Sequence, residues 1–124
     1  MANVNHTFVE QTTEQTHTGD ITFTDISGAE ITSGNFIAGN KYLIIANAQV
    51  GGSNIDENFA IQTLHGSTAF AESEYVMEPS QVASNEYQKS YTWFTVWTAV
   101  TSEGIKLQFQ TLNSGETVKA DQIT

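Results

Sequence analysis

The sequence predicts an all-β fold, a sandwich or barrel of about eight antiparallel strands, and three observations carry that prediction. The apolar segments are built from Thr, Val, Ile, Phe, Tyr and Trp, side chains that suit a pleated, half-buried surface. Their hydropathy alternates with period two along the chain. Turn-forming Gly, Ser and Asn clusters recur at short intervals, with no strand–helix–strand alternation. At 124 residues a single domain is expected.

Each element follows from that alternation. His17–Asp25 reads as the first strand, with Ile21 and Phe23 on one side and Thr22 and Thr24 on the other. Ser27-Gly28 is a turn, Ala29–Thr32 a short strand, and Ser33-Gly34-Asn35 another turn. Lys41–Val50 is the clearest strand. Tyr42, Ile44, Ala46, Ala48 and Val50 share one face, while Leu43 and Ile45 make the other face apolar as well. After the Gly51-Gly52-Ser53-Asn54 loop, Glu57–His65 carries Phe59, Ile61 and Thr63 on one side. Gly66-Ser67 turns into Thr68–Met77, and a polar connection runs from Pro79 to Asn85. Tyr87–Thr101 is the longest candidate strand. Ile105–Leu112 is expected to pair with it across the short loop Ser102-Glu103-Gly104, with Gly104 at positive φ. Asn113-Ser114-Gly115 leads into the last segment, Glu116–Thr124. Residues 1–15 carry little apolar surface and read as an N-terminal arm, leaving 16–124 as the β-domain.

Charge narrows the function classes. Four Lys against fourteen Asp and Glu give a net charge of −10, and there is no Arg. Such a chain is repelled by phosphate backbones and by anionic membranes, so neither nucleic acid nor membrane is expected as a partner. Cysteine is absent, which removes disulfides and thiolate chemistry. Met1–Glu14 lacks the basic start and apolar run of a signal peptide, so the chain is expected to stay soluble where it is made.

No catalytic or metal-binding pattern stands out. His6, His17 and His65 are not at ligand spacing. Gly66-Ser67 lacks the glycine context of a nucleophile elbow. Glu72 and Glu74 would lie about 7 Å apart on one strand face and point the same way, not across a cleft as a glycosidase requires. With Glu78 they read as a solvated acidic row. Asp20, Asp25 and Glu30 lack the spacing of a calcium loop. The chain is therefore expected to be no enzyme and to need no cofactor or metal.

One segment bears on partners. In Tyr87–Thr101, Tyr87, Tyr91, Trp93, Trp97 and Ala99 share one face, and Phe94, Val96 and Val100 the other. A sandwich strand normally turns its second face to water, so covering both sides calls for a third layer. That layer is the folded-back arm, a second subunit, or a ligand stacking on an exposed aromatic platform. Each large side chain buried there contributes roughly 1.5–3 kcal/mol. Association is the preferred reading, with Tyr91, Trp93, Trp97, Phe94 and Val96 as the oligomer interface. Trp97→Ala is then expected to abolish assembly before secondary structure. The platform reading would place a sugar on Trp93 or Trp97 beside a polar partner such as Gln108.

Three stretches, Gly39-Asn40-Lys41-Tyr42-Leu43-Ile44-Ile45-Ala46, Gly51-Gly52-Ser53 and Leu64-His65-Gly66-Ser67-Thr68, resemble small jelly-roll proteins of tailed-phage virions. These serve as head decoration (cement) proteins or as parts of head and tail fibres. The resemblance spans Gly39 to Leu112 with gaps, about half of the chain. It implies a jelly-roll-like sandwich of eight strands, a homotrimer, and docking on a capsid or fibre protein through an arm whose apolar residues here are Val4, Phe8 and Val9. A fibre module would instead bind host glycans. The resemblance implies a virion location, no enzyme activity and no functional residue to carry over. The sequence departs from it at Lys119–Thr124, where an apolar closing strand is expected. Completion of the sheet by a partner chain is one reading of that departure.

Overall fold

A computed structural model describes residues 6–19, 21–52, 58–77, 87–112 and 114–124. Nine strands make up the fold: β1 (Gln15–Thr18), β2 (Thr24–Ile31), β3 (Lys41–Gly52), β4 (Phe59–His65), β5 (Thr68–Ala69), β6 (Tyr75–Met77), β7 (Tyr87–Thr98), β8 (Ile105–Thr111) and β9 (Thr117–Asp121). The one helical element among the described residues is a 3-10 turn at Ser33–Asn35, where a turn is expected.

Two antiparallel sheets form a sandwich. The first has the order β1-β9-β3-β7; in the second, β2-β8-β4 is extended by β5 and β6, which both pair with β4. Counting β5 and β6 as one interrupted strand gives eight. The sheets then read first-eighth-third-sixth and second-seventh-fourth-fifth, and every connection except the fourth-to-fifth hairpin crosses between sheets. That is jelly-roll topology. Between the sheets lies a core of Ile26, Ala46, Val50, Phe59, Ile61, Met77, Leu107, Phe109 and Val118, all buried. A smaller cluster forms around Ile44, Trp97 and Ile105.

Expectations are corrected at three places along the chain. The expected strand His17–Asp25 is divided between sheets, β1 going to one and β2 to the other, and Ile21 is exposed. Ala29–Thr32 is no separate strand but continues β2 through a bulge. Asp25 faces Gln108 and Glu30 faces Lys106, so five steps of β2 match two of β8. Gly28 makes this possible at φ +77°.

Thr68–Met77 is interrupted at 71–74, where Glu72 takes φ +60° and Ser73 turns inward. The Ser73 hydroxyl donates to the Thr63 carbonyl at 2.9 Å and accepts from the Thr63 amide at 3.2 Å. A buried side chain thus supplies β4 with the bonds of a missing strand.

The third correction concerns the expected β7–β8 hairpin. β7 pairs with β3 in the first sheet, and β8 pairs with β2 and β4 in the second. The loop between them crosses the sandwich. Ser102, not Gly104, takes the positive φ, at +65°. Gly104 is needed for another reason: a Cβ there would lie 2.5 Å from the Ile31 carbonyl oxygen.

The sandwich also begins earlier than residue 16. Gln11 exchanges backbone hydrogen bonds with Ile123 at 2.9 and 3.0 Å, and β1 starts at Gln15.

Candidate functional site: an apolar face on the four-stranded sheet

β3 and β7 run antiparallel in register from Lys41↔Thr98 to Val50↔Lys89. The pleat sends alternate residues to opposite faces. Facing outward are the cross-strand pairs Lys41–Thr98, Leu43–Val96, Ile45–Phe94, Asn47–Thr92 and Gln49–Ser90. The last two close the ladder with side-chain hydrogen bonds: Thr92 donates to Asn47 at 3.1 Å, and Ser90 to Gln49 at 3.2 Å. Between these polar rungs and Lys41 lie Leu43, Ile45, Phe94 and Val96, exposed to 62%, 57%, 71% and 65%. They form one contiguous apolar patch, and no carboxylate lies among these five pairs, although the chain holds fourteen.

The inward face of β7 is the opposite case. Tyr91 and Trp97 are buried and Trp93 is half-buried against both core clusters. Trp97 meets Phe36 edge-on at 5.2 Å between ring centroids, and Phe70 packs on Trp93 at 5.1 Å. The Tyr91 hydroxyl donates to the Ser73 carbonyl at 2.9 Å and therefore accepts from the Thr63 hydroxyl at 2.8 Å. This ties β7 to the other sheet. Burial pushes the Tyr91 phenol up to about 12, against the opposing effect of the Thr63 bond.

Of the five residues expected at an oligomer interface, the structure thus places Tyr91 and Trp97 in the subunit interior, with Trp93 lining it. Only Phe94 and Val96 remain on the surface. The residues that complete their patch, Leu43 and Ile45, belong to β3. Their signal was in the sequence, since β3 is apolar on both faces. Of the two tryptophans of the aromatic platform, Trp93 keeps part of its surface and Trp97 does not. Trp97 is enclosed, and Gln108, its supposed polar companion, sits on the outer side of the other sheet, donating to Asp25 at 2.6 Å and accepting from Gln62 at 2.9 Å.

The described part of the arm, residues 6–10, does not cover the patch. It lies along a cleft of about 890 Å³ on the far side of β3, with Phe8 66% exposed and Val9 half-buried. Val4 lies outside the described residues.

Elsewhere, Asp25 accepts from Lys106 Nζ at 2.8 Å. Partial burial acts to raise its carboxyl, but the hydrogen bonds from Lys106 and Gln108 and the lysine charge outweigh it and hold it below its usual value. His65 Nδ1 donates to Glu103 at 2.6 Å, joining β4 to the β7–β8 crossing, and its ring meets Phe70 at a tilt, 4.7 Å between centroids. Glu72 and Glu74 fall in the turn between β5 and β6, not on a strand. Among the described residues no cluster of three or more His, Asp or Glu is arranged to hold a metal.

Comparison with protein-family models and with curated proteins finds no match.

Proposed function

We propose that this chain is a non-enzymatic structural subunit of a virion, a capsid decoration or cement protein that assembles as a homotrimer and stabilises the head. It is made in the host cytoplasm and carried on the particle, docked on a capsid or fibre protein. The observation that supports this reading is the outward face of β3 and β7, with four large apolar side chains more than half exposed and no carboxylate in its five cross-strand pairs. Completing their burial is worth roughly 4–8 kcal/mol per subunit. Association itself costs about 4–15 kcal/mol, so two or more such faces brought together reach the range of a stable complex. The likeness of the Gly39–Ala46, Gly51–Ser53 and Leu64–Thr68 stretches to phage jelly-roll proteins supports the virion setting.

Sedimentation velocity of the purified chain at micromolar concentration tests assembly. The expected species has three times the chain mass, and Phe94→Asp abolishes the trimer with an unchanged far-ultraviolet spectrum. A wild-type monomer under these conditions would overturn the trimer. The virion setting has its own test in the gene neighbourhood, where capsid, portal or tail genes are expected.

A further inference from the structure

The cleft on the far side of β3 has the geometry of a strand position. Ile123 and Thr124 carry the β9 side of the first sheet along β3, past a kink at Gln122 (φ +50°). Thr124 exchanges both backbone hydrogen bonds with Asn47, at 2.8 and 2.9 Å, while Ile123 does the same with Gln11 on its other side. Asn47 and Gln11 therefore stand two strand spacings apart, about 9.5 Å. Past the Asn47–Thr124 pair, residues 41–46 of β3 and residues 6–9 of the arm continue as the two walls of the cleft.

The near wall offers hydrogen bonds. Asn47 points its N–H and C=O toward Thr124, and alternation along an antiparallel strand puts those of Ile45, Leu43 and Lys41 on the same edge. Among the described residues no backbone group pairs with them. The floor is apolar, with Ile31, Phe36, Ile44, Ile105 and Leu107 among its residues. An exposed edge above an apolar trough is what a β-strand adds to.

We infer that the β3 edge of this cleft is a strand acceptor whose occupant is the N-terminal arm of a second copy of the chain, each arm leaving the side of its own cleft to enter its neighbour's. Two observations select that occupant. Residues 6–10 make no strand pairing in their own subunit and leave Phe8 bare, so the chain carries an apolar extended segment and a groove that are both unsatisfied alone. Charge selects it as well. Two of the four lysines line the groove, Lys41 and Lys106, the latter already paired with Asp25, against one side-chain carboxylate, Glu30. The entering segment, residues 6–10, carries Glu10 and no lysine. An arm entering as a continuation of β9 runs antiparallel to β3, with Phe8 over the floor. From Gln11, five extended residues reach about 17 Å, so the exchanging grooves must lie close together. Exchange of an identical element is a short route to a closed oligomer.

This interface adjoins the outward patch along β3 but uses its backbone edge, and it does not rest on the virion reading. Amide hydrogen exchange at Leu43 and Ile45 reads the groove directly. The expected result is exchange that slows about threefold or more for each tenfold rise in chain concentration, as mass action requires. Phe8→Asp should abolish that slowing and Phe94→Asp should leave it in place. Differently tagged Thr7→Cys and Leu43→Cys chains, mixed, should form a disulfide between chains, since the wild type has no cysteine to compete. Fast exchange at every concentration would overturn the inference. So would concentration-independent protection accompanied by a link only within a chain carrying both cysteines, which would show each arm filling its own groove.

Discussion

Phe94 and Trp97 stand three residues apart on β7 and face opposite ways, so the same truncation at each should break different things. Trp97 is 6% exposed, against Phe36 and Phe70. Removing a buried indole forfeits its transfer energy and leaves a cavity, so Trp97→Ala should destabilise the subunit by about 3–5 kcal/mol. Phe94 is 71% exposed and its cross-strand neighbour is Ile45. In the isolated subunit Phe94→Ala loses only that pair contact, about 0.2–1 kcal/mol. In the assembly it loses the burial of the exposed part of the ring, roughly 2 kcal/mol per subunit, or about thirtyfold in association. Urea unfolding at a concentration where the protein is monomeric gives the first quantity, and sedimentation equilibrium the second. The sequence-based expectation that Trp97→Ala abolishes assembly before secondary structure is thereby reversed: that variant should fail as a fold. If Phe94→Ala lowers subunit stability as much as Trp97→Ala, or leaves association unchanged, the assignment of the two faces is wrong.

Other perturbations test the network behind those faces. Tyr91→Phe removes the bond to the Ser73 carbonyl and the acceptor for the Thr63 hydroxyl, and should cost about 1–3 kcal/mol in urea unfolding, because both partners are left buried and unsatisfied. The Tyr91 phenol stays protonated in the fold up to about 12 from a usual 10.0. The unfolded chain releases that proton first, so stability should fall between pH 10 and 12, and Tyr91→Phe should flatten this part of the profile. Asp25 behaves oppositely. Its lowered carboxyl contributes stability above its unfolded pKa that is lost as the pH falls below about 4, and Asp25→Asn should remove that acid limb in thermal melts. Gly104→Ala should destabilise by about 1–3 kcal/mol, since its Cβ meets the Ile31 carbonyl, and the melting temperature should drop accordingly.

Much of this fold was legible because period-two alternation marks a strand wherever one face is buried. Lys41–Val50, Glu57–His65 and Ile105–Leu112 correspond to β3, β4 and β8 within a few residues. Pairing partners were not legible. A three-residue loop containing glycine looks the same whether its strands share a sheet or lie in opposite ones, and the crossing after β7 depends on Gly104 approaching Ile31, a long-range contact. The break at 71–74 was hidden for a related reason: Ser73 replaces backbone bonds with side-chain ones, and serine in a polar stretch gives no sign of it. For the site, the two-sided apolarity of β7 correctly marked it as unusual. Which face lies inward depends on register with β3. Aromatic residues drew attention to Tyr91 and Trp97, while the four side chains that remain outside are less conspicuous in sequence.

How a chain of charge −10 can associate at all is answered by where its charge is absent. Between like-charged subunits, repulsion falls off over about 8 Å at physiological ionic strength, so a contact surface needs only its own immediate area free of carboxylates. The five outward rungs of β3 and β7 carry none, with Lys41 at one end and amide and hydroxyl groups at the other. Lys41 also borders the strand-acceptor groove, so β3 joins the two surfaces. Its side chains at 43 and 45 lie on the patch, and the backbone groups of the same residues form the groove edge. A strand bound along that edge would fix the backbone that carries Leu43 and Ile45, leaving less conformational freedom to be lost when the patch is covered. Added salt should strengthen association by screening the remote carboxylates, and the gain should level off once the screening length is shorter than the distance from the patch to the nearest acidic side chains.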